Sequence, residues 1–312
     1  MEIYDGIENF KKVHYPVVTS GTFDGVHLGH QKILQKIKED AKRNNGQTII
    51  LTFWPHPKFV LHPEDQSLKL LTTFEEKAEL LDRLGIDHLI KIPFTKSFSQ
   101  TSSDAFIKEI LERKLGTKEL VIGHDHRFGK NREGSFEYLK ANSSKYGFKV
   151  IEIPRQDIDH IAISSTKIRS AISNHKIHMA HKLLGRPYSL AGQVVKGNRL
   201  GQTIGFPTAN IEINQKYKLV PAEGAYAVKI TWKEQRYDGM LNIGFRPTLG
   251  GSAKTIEVHI FNFNQIIYDE QLKVDFIKLI RKETKFADLE ALQSQLKKDL
   301  KTAKRILSDP LT

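Results

Sequence analysis

The stretch that decides the fold of this chain is TSGTFDGVHLGH, residues 19–30 of 312. Val17 and Val18 precede it as an apolar, β-branched run, and a helical pattern begins near His30. A strand, a glycine-bearing turn and a helix start therefore follow one another. The backbone N–H groups at a helix N-terminus attract phosphate. His27 and His30 are three residues apart, so both can face one anion from the first helical turn.

Two other interpretations of the histidine pair are weaker. A pair of core histidines beside a turn does not account for three glycines (Gly21, Gly25 and Gly29) around one strand end. A zinc site is disfavoured because the chain has no cysteine and no obvious further ligands at metal spacing. Phosphate binding is the interpretation that explains glycines, histidines and helix start together.

Composition limits the class of protein and its partners. A length of 312 residues suits two domains, and 39% apolar with 27% charged residues is typical of a globular chain. No apolar run reaches the length of a membrane span, so we expect no membrane partner. The absence of cysteine and of a signal-like start predicts a cytoplasmic protein. The net charge of +12 is scattered among acidic residues, so we expect no nucleic-acid partner.

The first half alternates strand and helix patterns, which predicts a parallel α/β sheet covered on both faces. Predicted strands are 47–53, 86–92, 119–122 and 148–153, and predicted helices are 31–43, 74–84 and 104–115. Thr73 and Glu76 form a predicted capping box. Ligands of such sheets lie beyond the carboxyl ends of the strands, where Gly21 falls.

The second half changes character after a short helical piece at 177–184. Closely spaced strand patterns predict an antiparallel barrel or sandwich: 191–195, 209–213, 225–232, 239–243, 255–261 and 272–280. The apolar stripe from Leu289 to Leu307 predicts a terminal helix packed on it. We place the domain boundary near Gly185, giving domains 1–185 and 186–312.

Three further segments of the first half carry polar groups at predicted strand or helix ends. They are TFWPHP (52–57), VIGHDHRFG (121–129) and ISSTKIR (163–169). The first contains two prolines that stiffen a loop, although a plain proline turn explains it equally well. The last places hydroxyls and Arg169 at a helix start, where they suit phosphate.

Together these segments resemble the family of bacterial bifunctional riboflavin kinase/FAD synthetases. The second half resembles its kinase module through GNRLG (197–201), GFPTAN (205–210), PAEGAY (221–226), NIGFRPT (242–248) and EVHI (257–260). The resemblance covers nearly the whole chain. It implies an N-terminal Rossmann-like nucleotidylyltransferase domain and a C-terminal β-barrel riboflavin kinase domain. It also implies ATP, riboflavin, FMN and FAD as substrates and products, Mg²⁺ as cofactor, and a monomer or weak homo-oligomer.

The resemblance also implies roles for individual residues. It assigns catalysis of adenylyl transfer to His27, His30 and Arg169, and hydroxyl deprotonation in the kinase to Glu257. ATP and phosphate binding fall to Gly21, Phe23, Asp24, His27, His30, Ser164, Ser165, Thr166, Arg169, Gly197, Gly201, Thr208 and Asn210. Thr208 and Asn210 also bind the metal. Flavin binding falls to Pro55, Pro57, Asp125, Phe128 and Arg246.

One position departs from the family pattern, and two other functions remain open. The family often has an aromatic residue after the loop aspartate, whereas His126 follows Asp125 here. A nucleotidylyltransferase for pantetheine phosphate or nicotinate nucleotide is disfavoured, because such an enzyme needs no second domain with the PTAN motif (207–210). A flavin- or RNA-binding regulator is disfavoured because the implied catalytic residues are all present.

Overall fold

The computed structural model describes residues 1–123, 126–153, 157–158, 161–197, 200–248 and 251–309. Residue contacts divide the chain into two units, 1–165 and 166–312. The boundary between these units lies before the helices at residues 166–184. The boundary expected from the sequence motifs, near Gly185, lies after those helices.

The first unit contains a parallel sheet, as predicted, and the sheet has six strands. Its strands are β1 (Glu2–Asp5), β2 (Pro16–Ser20), β3 (Gln47–Trp54), β4 (His88–Pro93), β5 (Glu119–Gly123) and β6 (Lys149–Ile153). They lie in the order β1-β4-β3-β2-β5-β6, and every neighbouring pair is parallel. Two short strands, β7 (Asp157–Ile158) and β8 (Ile161–Ala162), form a separate ladder. Because β2 is central, its carboxyl end lies in the middle of the sheet edge at which ligands of parallel α/β sheets bind.

Helices cover both faces of this sheet. They are α1 (Leu28–Arg43), α2 (Pro57–Leu61), α3 (Phe74–Arg83), α4 (Ser103–Ala105), which a π-helix continues (Phe106–Lys114), and α5 (Phe136–Tyr146). Short 3₁₀ turns occupy Phe98–Gln100 and Lys130–Arg132.

Successive residues of each strand enter opposite cores, as the pleat requires. Val17 packs with helices α1 and α3 through residues such as Leu34 and Leu81, whereas Val18 packs with Ile107 of the π-helix. The predicted capping box of Thr73 and Glu76 is present at the start of α3. The sheet that carries the turn is therefore fixed from both sides.

The second unit is built around a closed antiparallel barrel, which confirms the predicted class. Its strands are β9 (Tyr188–Val195), β10 (Ala209–Glu212), β11 (Gly224–Trp232), β12 (Gln235–Thr248), β13 (Gly251–Ile260) and β14 (Gln271–Lys282). They close in the order β10-β13-β12-β11-β14-β9. The helices are α6 (Ser165–Ser173), which begins at the last residue of the first unit, α7 (Ile177–Leu184), α8 (Leu200–Thr203) and α9 (Leu289–Leu307).

Two of these helices pack on the barrel. Helix α9 buries Ala303, Ile306 and Leu307 in an apolar cluster that includes Phe261, the residue directly after β13. The expected stripe is shorter than predicted, because Leu289 at the first turn of α9 is 51% exposed. Helix α7 packs on β9 and β14. The barrel core is therefore closed by helical residues from both ends of this unit's sequence.

Candidate active sites

The turn after β2 brings the two predicted histidines into contact. His27 is the N-cap of α1, and its Nδ1 accepts the backbone N–H of His30 at 3.3 Å. The two imidazole rings stack, with centroids 3.6 Å apart and an interplanar angle of 16°. Because Nδ1 of His27 is an acceptor, its ring proton lies on Nε2 when the side chain is neutral. The sequence spacing therefore predicts the pairing correctly.

Gly29 permits this stacked arrangement. A Cβ at residue 29 would lie 3.2 Å from both Cε1 and Nδ1 of His27, which is closer than ordinary van der Waals contact. The ring of Phe23 lies 5.0 Å from that of His30, on a backbone with φ of 47°. The glycine and this turn thus fix where the imidazoles lie.

Asp24 has a different position from its neighbours in the turn. Its side chain is buried, and Oδ1 accepts the backbone N–H groups of Leu71 at 2.8 Å and Thr72 at 3.2 Å. The Thr72 hydroxyl in turn accepts the N–H of Gly25. Ser165 donates its hydroxyl to the Asp24 carbonyl at 2.9 Å. These bonds make the carboxylate a brace of the turn.

A cavity of about 810 Å³ opens at this edge of the first unit. Its wall includes Ser20 at the end of β2, Gly21 and Phe23 of the turn, His30 of α1, Pro57 and Phe128. His27, which is 6% exposed, lies behind His30. Pro55 follows a cis peptide bond and is not part of the wall. Ser164 is half-buried, and Asp125 lies outside the described residues.

Sequence reasoning missed an aromatic wall of this cavity. Phe53, Phe94 and Phe98 have ring centroids 5.7–6.0 Å from one another, and all three line the cavity. Three cations also line it: Lys58, Arg127 and Arg132. Apolar aromatic surface beside positive charge suits a ligand with an aromatic ring and phosphate. The sequence signals for this wall were the position of Phe53 in the TFWPHP segment and that of Phe94 just beyond β4.

His126, the departure from the family pattern, lies in the cavity wall. Its Nε2 is 3.2 Å from the Ser20 hydroxyl, and its ring stacks on Phe128 with centroids 5.8 Å apart. The imidazole therefore occupies an aromatic position while adding a polar contact to the end of β2.

Thr166 and Arg169 lie on the first turns of α6, in the second contact unit. Arg169 Nη2 donates to the Thr166 hydroxyl at 3.3 Å. The helix spacing that suggested a shared phosphate site thus brings these two side chains together.

The barrel brings together the predicted kinase residues. The Thr208 hydroxyl donates to Oε2 of Glu257 at 3.2 Å. Glu257 lies opposite Asn210 of β10 on one side and opposite Asn242 of β12 on the other. A Cβ at Gly197 would lie 2.0 Å from Nδ2 of Asn210, so a larger residue there would displace the Asn210 amide. The arrangement offers a carboxylate beside hydroxyl and amide groups.

The loop before β10 is held by two further contacts. His259 Nδ1 donates to the Pro207 carbonyl at 2.7 Å. Phe206 donates its N–H to the Gly201 carbonyl at 2.8 Å, and a Cβ at Gly201 would lie 2.2 Å from the Phe206 carbonyl oxygen. The backbone of Arg246 pairs with Ala253, and its side chain lies outside the described part of the structure.

The described residues contain no cluster of three or more His, Asp or Glu side chains at metal-binding distance. Across the same residues, no helix combines the length and apolar character needed to cross a membrane.

Comparisons with known proteins divide the chain in the same order. Residues 10–167 match the family model of FAD synthetase, and residues 184–307 match that of riboflavin kinase. The bifunctional riboflavin kinase/FMN adenylyltransferase of Buchnera aphidicola from Schizaphis graminum is 41% identical, over 98% of each chain. The protein of that name from Haemophilus influenzae is 38% identical, over 97% of this chain and 98% of its own.

A solved structure extends the similarity to three dimensions. A crystal structure from Streptococcus pneumoniae, described as a macrolide-efflux protein, aligns with a TM-score of 0.90 and 32% identity. The alignment covers 97% of this chain and 98% of that one. The two chains therefore share their fold over nearly their whole lengths.

Proposed function

The chain belongs to the family of bifunctional riboflavin kinase/FMN adenylyltransferases, and we propose how its own residues divide the two reactions. The protein phosphorylates riboflavin to FMN with ATP, and it joins FMN to the AMP part of a second ATP to form FAD and pyrophosphate. Residues 1–185 carry the adenylyl transfer and residues 186–312 carry the kinase reaction.

The observation that carries the first assignment is the stacked His27–His30 pair beside the aromatic cavity. FMN brings a phosphate that is already anionic, so attack on the α-phosphorus of ATP needs no general base. What this reaction needs is positive or hydrogen-bonding groups that face the charge developing on the phosphates. His30 in the cavity wall, positioned by His27, supplies such a group.

The remaining residues of the first site bind the two substrates. Backbone and side-chain groups of the turn and of the helix start bind ATP: Gly21, Phe23, Asp24, Ser164, Ser165, Thr166 and Arg169. Asp24 acts through the turn that it braces. The flavin lies against Pro57, Phe128 and the aromatic wall, next to the loop that contains Pro55, with Asp125 as a polar contact.

In the kinase, Glu257 accepts the proton of the ribityl hydroxyl as that oxygen attacks the γ-phosphorus. Its hydrogen bond with Thr208 and its register with Asn210 support this role. The loop around Gly197 and Gly201 binds the ATP phosphates, and Arg246 contacts riboflavin. Oxygen donors such as the Thr208 hydroxyl and the Asn210 amide suit Mg²⁺, which neutralises phosphate charge when bound.

Localisation, partners and oligomeric state complete the proposal, and the oligomeric state is the one that the family resemblance implies. We propose a cytoplasmic protein, monomeric or weakly self-associating, with no nucleic-acid or membrane partner. The lack of cysteine and the scattered lysines support this proposal.

The test is incubation of the protein with riboflavin, ATP and Mg²⁺, followed by chromatography of the flavins. Both FMN and FAD are expected, and neither is expected when a chelator removes the metal. Undiminished synthesis with the chelator would contradict the Mg²⁺ assignment. Absence of both products with the metal present would overturn the assignment of function.

A further inference from the structure

Lys77 is a buried cation that none of the roles above uses. It lies on α3 and is 4% exposed. Its ammonium donates to the Thr22 carbonyl at 3.0 Å and to the Thr52 hydroxyl at 2.8 Å. The Thr52 hydroxyl, which is also buried, donates to the same Thr22 carbonyl at 3.4 Å. The three groups form a closed triangle of hydrogen bonds.

The surroundings of Lys77 make its charge costly. Burial removes the ammonium from water, and two cation–π contacts offset only part of that cost: its Nζ lies 5.7 Å from the ring centroid of Phe74 and 5.9 Å from that of Trp54. Burial lowers the pKa of Lys77 to about 8, and the Asp24 carboxylate opposes this shift. The ammonium form therefore predominates at neutral pH. An apolar side chain of similar length would avoid this desolvation cost but would lose the two hydrogen bonds, so the lysine adds little net stability.

The triangle joins two strand ends that carry different parts of the proposed site. Thr22 follows β2 and lies between Gly21 and Phe23 in the cavity wall. Thr52 lies on β3, directly before Phe53 of the aromatic wall and close to the loop with Pro55 and Pro57. The ammonium thus fixes the phosphate turn against the strand that leads to the flavin loop.

We propose that Lys77 is a positioning residue for adenylyl transfer, which sets the distance between the ATP-binding turn and the flavin loop through Thr22 and Thr52. The inference rests on the adenylyl-transfer site proposed above. In-line attack needs reacting atoms to approach at a fixed geometry, and a displacement of about 1 Å can lower the rate about 10²-fold. The effect therefore falls on kcat more than on KM.

The main test is Lys77→Met in the full-length protein, with FMN and Mg-ATP as substrates. We expect kcat for FAD formation to fall by about 10- to 100-fold, KM to change little, and thermal stability to stay the same or rise. Riboflavin phosphorylation in the same preparation should be unchanged. A merely structural role would instead lower stability and leave the kcat of the folded fraction intact.

Lys91→Met is the matched control. Lys91 Nζ lies 5.0 Å from the same Phe74 ring and pairs with Asp5 at 3.0 Å, but its side chain lies outside the triangle. This variant should keep full adenylyl transfer. Equal losses in Lys91→Met and Lys77→Met would overturn the inference.

A second pair of variants decides the question if Lys77→Met does not fold. Thr52→Val removes the bridging hydroxyl, whereas Thr52→Ser retains it. We expect Thr52→Val to lower kcat and Thr52→Ser to restore most of it. Normal kcat in folded Lys77→Met, or in Thr52→Val, contradicts the inference and leaves the proposed function standing. Wild-type protein that forms no FAD contradicts the proposed function itself.

Discussion

The two candidate sites differ in where they place a carboxylate. In the first unit, the carboxylate of Asp24 is buried against the backbone of residues 71 and 72, and the imidazole of His30 lies in the cavity wall. In the barrel, the carboxylate of Glu257 contacts the Thr208 hydroxyl. In the proposed division of the two reactions, the nucleophiles account for this difference, because a phosphate is already charged and an alcohol must lose a proton. The charge of the nucleophile thus determines which groups each site must present.

The largest expected effect comes from separating the two regions. Residues 166–312 should fold and phosphorylate riboflavin without forming FAD. Residues 186–312 lack α7, whose Ile177, Leu183 and Leu184 are at most 2% exposed. Each such side chain contributes about 1.5–3 kcal/mol when buried, so the three together are comparable with the whole stability of a typical domain. We therefore expect the 186–312 fragment to be much less stable than the 166–312 fragment.

Urea unfolding monitored by circular dichroism measures the free energies of unfolding of fragments 166–312 and 186–312. Kinase activity of each fragment is assayed at low temperature on the fraction that is folded. Equal stability would show that α7 is not part of the barrel's core. A folded 166–312 fragment without kinase activity would contradict the separation of the two sites.

Glu257→Gln sharpens the comparison from the kinase side. It keeps the size and a hydrogen-bonding group but removes the base, so riboflavin phosphorylation should fall by about 10²–10⁴. Conversion of supplied FMN to FAD should continue, because that reaction needs no base. Glu212→Gln, at an exposed position of the same barrel, is the control. Near-normal turnover of riboflavin in Glu257→Gln would remove this residue from the mechanism.

His30→Ala and Arg169→Ala test the first site in the opposite direction. Loss of one preorganised donor lowers such rates by about 10²–10³, so FMN should accumulate from riboflavin while FAD formation almost stops. His14→Ala, at an exposed position before β2, should behave as wild type. Loss of both activities in a folded variant would indicate one shared site instead of two.

The architecture could be predicted because the apolar patterns are strong. Val17 and Val18 in β2 and the runs in β3 and β5 are continuous, as buried parallel strands require. Strand β1 was missed because most of it is exposed and shows no alternation. Helix α5 was missed because its sequence is rich in polar residues with weak helix preference.

Local sequence patterns could predict the candidate sites where neighbours in sequence meet or where parallel strands end at one edge, and the family resemblance added the distant residues of the kinase site. The His27–His30 contact follows from helix spacing, and the alignment of strand ends follows from the parallel sheet. The role of Lys77 could not be predicted from local spacing, because its partners Thr22 and Thr52 are distant in sequence. The sequence of its helix has only the pattern of an ordinary amphipathic helix. The direction of the Asp24 carboxylate likewise depends on residues 71 and 72.

The smallest expected effect is a pH dependence of the free energy of unfolding of the first unit that arises from Lys77. The pKa of Lys77 lies near its usual value of 10.5 in the unfolded chain and at about 8 in the folded one. Between these values the unfolded chain binds more protons, so the contribution of Lys77 to the free energy of unfolding rises with pH. The change is on the order of 3 kcal/mol at most, since one pKa unit corresponds to about 1.4 kcal/mol.

The measurement compares Lys77→Met with the native lysine by urea unfolding at pH 7 and pH 10. Both proteins carry Trp232→Phe, so that fluorescence reports on Trp54, which lies 5.9 Å from the Lys77 ammonium. The stability advantage of Lys77→Met should shrink as pH rises, because deprotonation of Lys77 removes the buried charge from the native protein. A difference that stays constant from pH 7 to pH 10 would mean that the ammonium of Lys77 is not penalised by burial, and the argument that its charge is kept for positioning would lose its support.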